Sequence, residues 1–242
     1  MNTTVAQLTA RSLLGRRRTL LLLALPTILI ALSIAVRVLA GEDQAMSVSL
    51  LGGFTLGTMV PLLGLIVGTG AIGPEIDDGS IIYLLSKPVS RFHIATTKFA
   101  VAAGIVTVVA ALPTLIAGLI LVGTDDGVAV GYAVGAAVAG LGYSALFLLL
   151  AVLTRNAVVA GLLYALIWEG LIGGFVPGAQ ALSIQQWALS ITERIVGSAA
   201  EQLGVVSAVD LAAAVPLLAV VILGGTWYAG FRLRTLRLSG ED

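Results

Sequence analysis

Read for the order of apolar and polar positions, the chain is a series of long runs, apolar all round, cut by short polar breaks. A helix needs about 20 apolar residues to cross a hydrocarbon core of about 30 Å. Six runs qualify: 19–40, 49–72, 99–123, 130–153, 157–176 and 208–230. None shows the alternating segments of a membrane barrel strand, so the pattern predicts an all-α membrane protein with six transmembrane helices. Ahead of the first run, Val5, Leu8 and Leu13 stand among polar neighbours, which predicts a short helix on the membrane surface. Within 178–207, Ile184, Trp187, Ala188, Ile191 and Ile195 recur at helical spacing opposite Gln185, Gln186, Glu193 and Arg194. That predicts either a short outer helix before span six, with Trp187 as an interfacial anchor, or a packed connector.

Composition sharpens this reading. Charged residues make up 11% of the 242, against about a quarter in soluble domains, and mean hydropathy is +1.06. The charges are sorted by position. Arg11, Arg16, Arg17 and Arg18 precede span one; Lys87, Arg91 and Lys98 separate spans two and three; Arg155 separates four and five; Arg232, Arg234 and Arg237 follow six. The alternate loops hold Glu42, Asp43, Asp125, Asp126, Glu193 and Glu201, with Arg194 as the exception and Arg37 placed to snorkel. Basic residues favour the cytosolic side, so both termini are expected there, with the chain in the cell (inner or plasma) membrane. Arginines before an apolar run also suit a secretory leader, but this run is too long for one and five more follow. Residues 1–242 read as one transmembrane domain. The pairs Gly64/Gly68, Gly131/Gly135 and Gly170/Gly174 predict close helix approach. Pro26, Pro61, Pro113 and Pro216 predict kinks within spans.

Candidate chemistry is sparse. The chain has no cysteine and one histidine, His93, which removes thiolate sites and leaves little acid–base capacity near neutral pH. No serine elbow, zinc motif or phosphate-binding loop occurs, so neither catalytic residue, metal nor cofactor is expected here, and nothing suggests nucleic-acid binding. One acid interrupts an apolar run: Glu169, about halfway along span five. Such a group costs roughly 2.5 to 3.5 kcal/mol at mid-bilayer and must find a partner. Two roles fit it: a structural hydrogen bond to a neighbouring span or to Trp168, or a place on a translocation pathway or protomer interface. A stand-alone secondary transporter or channel using Glu169 is the alternative function, although proton relays usually use several such groups.

The longest polar break is GPEIDDGSIIYLLSKPVSRFHIATTK, from residue 73 to 98. Gly73-Pro74 is expected to end span two, Asp77 or Asp78 to cap a new helix over 80–86, and Pro88 to stop it. Ser90 then caps the entry to span three. Ile81, Ile82, Leu84 and Leu85 form a ridge that suits either lipid or a groove on a partner.

The order of these residues resembles the cytosolic loop of type-2 ABC transporter permeases: a glutamate after span two, Asp-Gly-Ser, Leu-Leu-Ser-Lys-Pro-Val-Ser-Arg, then a lysine opening span three. A second similar patch is Tyr164-Ala-Leu-Ile-Trp168-Glu169-Gly170 followed by Leu182-Ser183-Ile184-Gln185-Gln186. The resemblance implies an N-terminal elbow helix, outer helices that lid a pathway, and a coupling helix that docks in a cleft of a separate ATPase. On this sequence Glu75, Asp77 and Asp78 would start the coupling helix, Ile81, Ile82, Leu84 and Leu85 would be its docked ridge, and Lys87 and Arg91 would fix its foot. Two permeases, identical or paralogous, would pair with two ABC ATPase subunits that hold the ATP and Mg. The chain itself would transmit work for export and would not be an enzyme.

Overall fold

The computed structural model describes residues 3–79, 90–173 and 176–235. Among them every regular element is helical. The helices are α1 (Thr3–Leu13), α2 (Arg16–Ala40), α3 (Gln44–Ser49), α4 (Val60–Gly70), α5 (Gly73–Asp77), α6 (Arg91–Val122), α7 (Val128–Leu153), α8 (Ala157–Leu163), α9 (Pro177–Gln180), α10 (Ile184–Val196), α11 (Leu211–Ala219) and α12 (Gly225–Thr235). Wider π-helical stretches at Leu50–Met59, Tyr164–Ile172 and Val220–Gly224 join α3 to α4, prolong α8, and join α11 to α12.

Five helices are long and apolar enough to cross a membrane: Arg18–Ala40, Gln44–Ile76, Arg91–Val122, Val128–Leu153 and Leu211–Leu233. The remaining run forms a shorter apolar helix, Ala157–Ile172. Residues 174 and 175 of the expected 157–176 span lie outside the described residues, and beyond them the Val176 N–H still bonds back to Ile172 O at 2.9 Å. Val176 is extended, at φ −100° and ψ 109°, because the residue before a proline, here Pro177, is pushed out of the α region. A smaller difference falls at the end of span two. The helix breaks at Ala71-Ile72, and Pro74 sits in the first turn of α5, where a missing N–H costs nothing.

Two of the π stretches adjoin prolines. Pro61 follows Leu50–Met59 closely, and there the Val60 N–H reaches five residues back to Thr55 O. Pro216 shortly precedes Val220–Gly224. A missing donor in the i to i−4 ladder favours such a shift of register.

The core is built around α7. About 61% of that span is buried, against 22% of the first and 17% of the last, so the outer spans present apolar flanks such as Leu20, Val38 and Leu223 outward. Close approach is bought with glycine. A Cβ on Gly64 would stand 2.6 Å from Tyr143 Cβ, and one on Gly68 2.8 Å from Phe147 Cβ, so α4 lies directly on α7. Gly131 and Gly135 do the same for α10, whose Thr192 packs against both. The third pair behaves differently: Gly170 meets only its own helix, and Gly174 lies outside the described residues.

These contacts fix the depth of α10. It runs antiparallel to α7, with Val196 by Gly131, Ala188 by Gly135 and Ile184 by Gly142. Gly142 is 14 residues from the start of α7, or about 21 Å at 1.5 Å per residue. The N-terminus of α10 therefore lies near the middle of the bundle. Ala157–Ile172 climbs from the opposite end, with Gly161 against Phe147 and Leu65 and Gly173 against Ser183. The upper end of this helix and the start of α10 thus meet inside the bundle. Trp187 is correspondingly buried, 3% exposed, and its Nε1 donates to Ala181 O at 2.8 Å, so it is a core residue and not an interfacial anchor.

The N-terminal helix α1 buries Val5, Thr9 and Leu13 and leaves Leu8 exposed. Leu13 rests beside Gly70 at the end of α4.

Candidate functional site

The first cluster lies where α4 ends. An α-helix leaves its last carbonyls without partners and its C-terminus partially negative. Two cations fill that role here. Arg18 Nη1 donates to Gly70 O at 3.3 Å, and Lys98 Nζ donates to Ala71 O at 2.6 Å. Lys98 is 1% exposed, and its ammonium also meets Glu75 Oε1 at 2.7 Å. Glu75 keeps 31% of its side chain exposed, while its Oε2 is buried without a partner among the described residues. The pair joins α5 to α6 and so ties together the two ends of the 79–90 segment. Cations from other helices also close α6, where Arg37 Nη1 reaches Leu121 O at 3.3 Å, and α12, where Arg91 Nη1 reaches Leu233 O at 2.8 Å.

The second cluster lies at mid-bundle. Glu169, 1% exposed, accepts from Tyr164 OH at 2.9 Å and from the Ile184 N–H at 3.0 Å through Oε1, and from the Ser183 hydroxyl through Oε2. All three partners donate, so the side chain acts wholly as an acceptor. Ser183 is also the N-cap of α10, its oxygen accepting from the Gln186 N–H at 3.2 Å. The carboxyl group therefore sits on the positive pole of α10, which replaces the cation that a buried acid would otherwise need. The Tyr143 hydroxyl lies near the same carboxylate, buried and without a hydrogen-bond partner among the described residues. A π-helical turn presents Glu169, with the Gly173 N–H bonded to Trp168 O; such turns recur at functional sites.

The sites expected from sequence distribute as follows. Glu75 is at the clasp with Lys98; Asp78 is exposed at the end of α5; Arg91 opens α6 and binds the end of α12. Ile81, Ile82, Leu84, Leu85 and Lys87 lie outside the described residues, as does the expected helix over 80–86. Ser90 does precede α6, but its side chain makes no capping bond. Glu169 takes the hydrogen-bonded form considered for it, though its partners are Tyr164, Ser183 and Ile184; Trp168 Nε1 turns instead to Leu182 O at 3.3 Å. Sequence reasoning used Lys98 for orientation and as the lysine of the resembled loop, and missed its clasp. The available signal was a lysine about two turns inside a helix that starts at Arg91. Ser183 was similarly legible as a cap before an amphipathic helix.

Five helices long and apolar enough to cross a membrane, with a shorter apolar helix among them, define a polytopic membrane protein. The family model for ABC-2 family transporter proteins matches residues 3–186. That is more than half of the chain, and it takes in both clusters. The chain belongs to this family: it is a type-2 ABC transporter permease, a multi-pass membrane component of transport. No curated protein matches its sequence.

Proposed function

We propose that this chain is the membrane-spanning subunit of an ATP-driven exporter, working as a dimer with itself or a paralogue. Two copies of a separate ABC ATPase, which carry the ATP and Mg, grip the loop between spans two and three on the cytosolic side of the cell membrane. The observation that carries the reading is the Glu75–Lys98 clasp. A loop that only rested on lipid would gain little from having its two ends locked. A loop used as a lever needs both helices above it to move as one piece. The gathering of Arg18, Arg91, Lys98 and Arg155 at one end of the bundle supports cytosolic termini through the charge bias of inner loops. On this reading α1 is the elbow helix, the half-helices Ala157–Ile172 and α10 together make the fifth crossing, and Glu169 lines the seam or pathway beside them. Glu75, Asp78, Ile81, Ile82, Leu84, Leu85, Lys87 and Arg91 form the coupling surface.

The test is co-purification of the chain from its native membranes with an ABC ATPase. Wild type should retain it, and the double variant Leu84→Asp, Leu85→Asp should lose it while the permease still reaches the membrane. Equal retention by the double variant, or no ATPase on the wild type, would overturn the reading.

A further inference from the structure

A groove of about 430 Å³ opens where the start of α2, the end of α4 and the turn from α7 to α8 come together. Its size is that of a small-molecule site. Arg18 and Arg155 line it, and no carboxylate does among the described residues. One Arg18 nitrogen holds Gly70 O, but a guanidinium has five donors, so others remain for a ligand. Arg155 is exposed. Thr69, Thr154 and Asn156 add neutral polar groups, and most of the remaining wall is apolar, including Leu21, Leu65 and Val158. Leu21 and Val158 are 58% and 59% exposed, continuing the apolar surface toward the middle of the bundle. Two cations at the membrane-surface end and hydrocarbon below them match one kind of molecule.

We propose that this groove binds an anionic phospholipid, its phosphate held by Arg18 and Arg155 and its acyl chain laid along Leu21 and Val158. A second copy of the chain fits the groove less well. A two-fold contact sets the same patch on both sides, which would bring these arginines toward their own copies. The site requires no ATPase and stands apart from the exporter reading.

The experiment is native mass spectrometry of the full chain in a neutral detergent, titrated with phosphatidylglycerol or phosphatidylcholine. Wild type should prefer phosphatidylglycerol, and added salt should weaken the preference. Arg155→Gln should weaken phosphatidylglycerol binding about fivefold, with a further similar loss when Arg18→Gln is added. Arg37→Gln, at the other end of the bundle, should leave binding unchanged. Melting of Arg155→Gln without lipid should match wild type, which separates binding from folding. Equal binding of both lipids, or no effect of Arg155→Gln, overturns the proposal. Displacement of the lipid by millimolar inorganic phosphate would make this a free-anion site and overturn it too. Loss of a dimer in Arg155→Gln with lipid binding intact would assign the face to a second copy.

Discussion

At the basic end of the bundle a lysine closes the negative pole of one helix; at mid-depth a glutamate closes the positive pole of another. Lys98 meets Ala71 O and Glu75, and Glu169 meets the Ile184 N–H, the Ser183 hydroxyl and the Tyr164 hydroxyl. Both charges sit where the chain has broken a helix and left backbone groups unpaired in apolar surroundings. The sign of each follows the pole it faces. The difference lies in the counterweight. Lys98 has an opposite charge beside it, itself partly open to solvent. Glu169 has only dipoles, all supplied by neutral groups. The first arrangement tolerates loss of its acid or base unequally; the second depends on every donor staying in place.

The largest effect should therefore come from Glu169→Ala. It leaves the Ile184 N–H and two buried hydroxyls without an acceptor, and hydrogen bonds to charged groups are worth about 1.5 to 3 kcal/mol each. Thermal unfolding in detergent should show a loss of at least about 3 kcal/mol. Glu169→Gln should cost much less: its oxygen keeps Tyr164 and Ile184, and the Ser183 hydroxyl turns to accept from the new amide. The glutamine variant therefore removes the charge and reverses the bond to Ser183 while keeping the other two. In the assembled transporter it should lower transport-coupled ATPase activity with assembly intact. If alanine and glutamine melt together, the dipole account of Glu169 fails.

The Glu75–Lys98 pair should break less severely and asymmetrically. Removing one partner of a buried pair costs about 3 to 5 kcal/mol, and partial exposure of Glu75 brings the expected loss below that range. Glu75→Ala leaves Lys98, 1% exposed, with only Ala71 O, so it should cost more than Lys98→Met, which leaves a carboxylate on a side chain that is 31% exposed. The double variant should recover part of the loss. A larger penalty for Lys98→Met would mean that its bond to the helix end, and not the ion pair, holds the two spans.

How much of this could be read from residues alone follows the same division. Five of the six expected spans, 19–40, 49–72, 99–123, 130–153 and 208–230, correspond to long helices within a few residues, except that α6 begins earlier, at Arg91. Hydrophobic run length carries that information well. The fifth expected span, 157–176, is followed as a helix from Ala157 to Ile172, and Val176, just before Pro177, is extended where that span was expected to end. Glu169 was legible as an expense needing a partner, but Ser183 and Ile184 are reached only by a chain reversal that no periodicity encodes. The same holds for Glu75 and Lys98, 23 positions apart and joined only because spans two and three are antiparallel. Trp187 shows the limit of composition: a tryptophan near a polar loop reads as an anchor until the depth of α10 is known.

The smallest effect compares two serines in one role. Ser183 and Ser90 both occupy N-cap positions, the first before α10 and the second before α6. Ser183 accepts from the Gln186 N–H and donates to Glu169; Ser90 is exposed and makes no capping bond. A serine cap is worth about 1 kcal/mol and Ser183 also donates to Glu169, so Ser183→Ala should lower stability by more than about 1 kcal/mol, whereas Ser90→Ala should be close to neutral. Pairing Ser183→Ala with Glu169→Gln then measures how tightly cap and carboxyl are linked, with a coupling of about 0.5 kcal/mol or more expected for groups in one network. Additive losses would mean that Glu169 holds α10 through its backbone pole alone. Equal losses for the two serines would erase the distinction between a cap buried at mid-depth and one open at the surface.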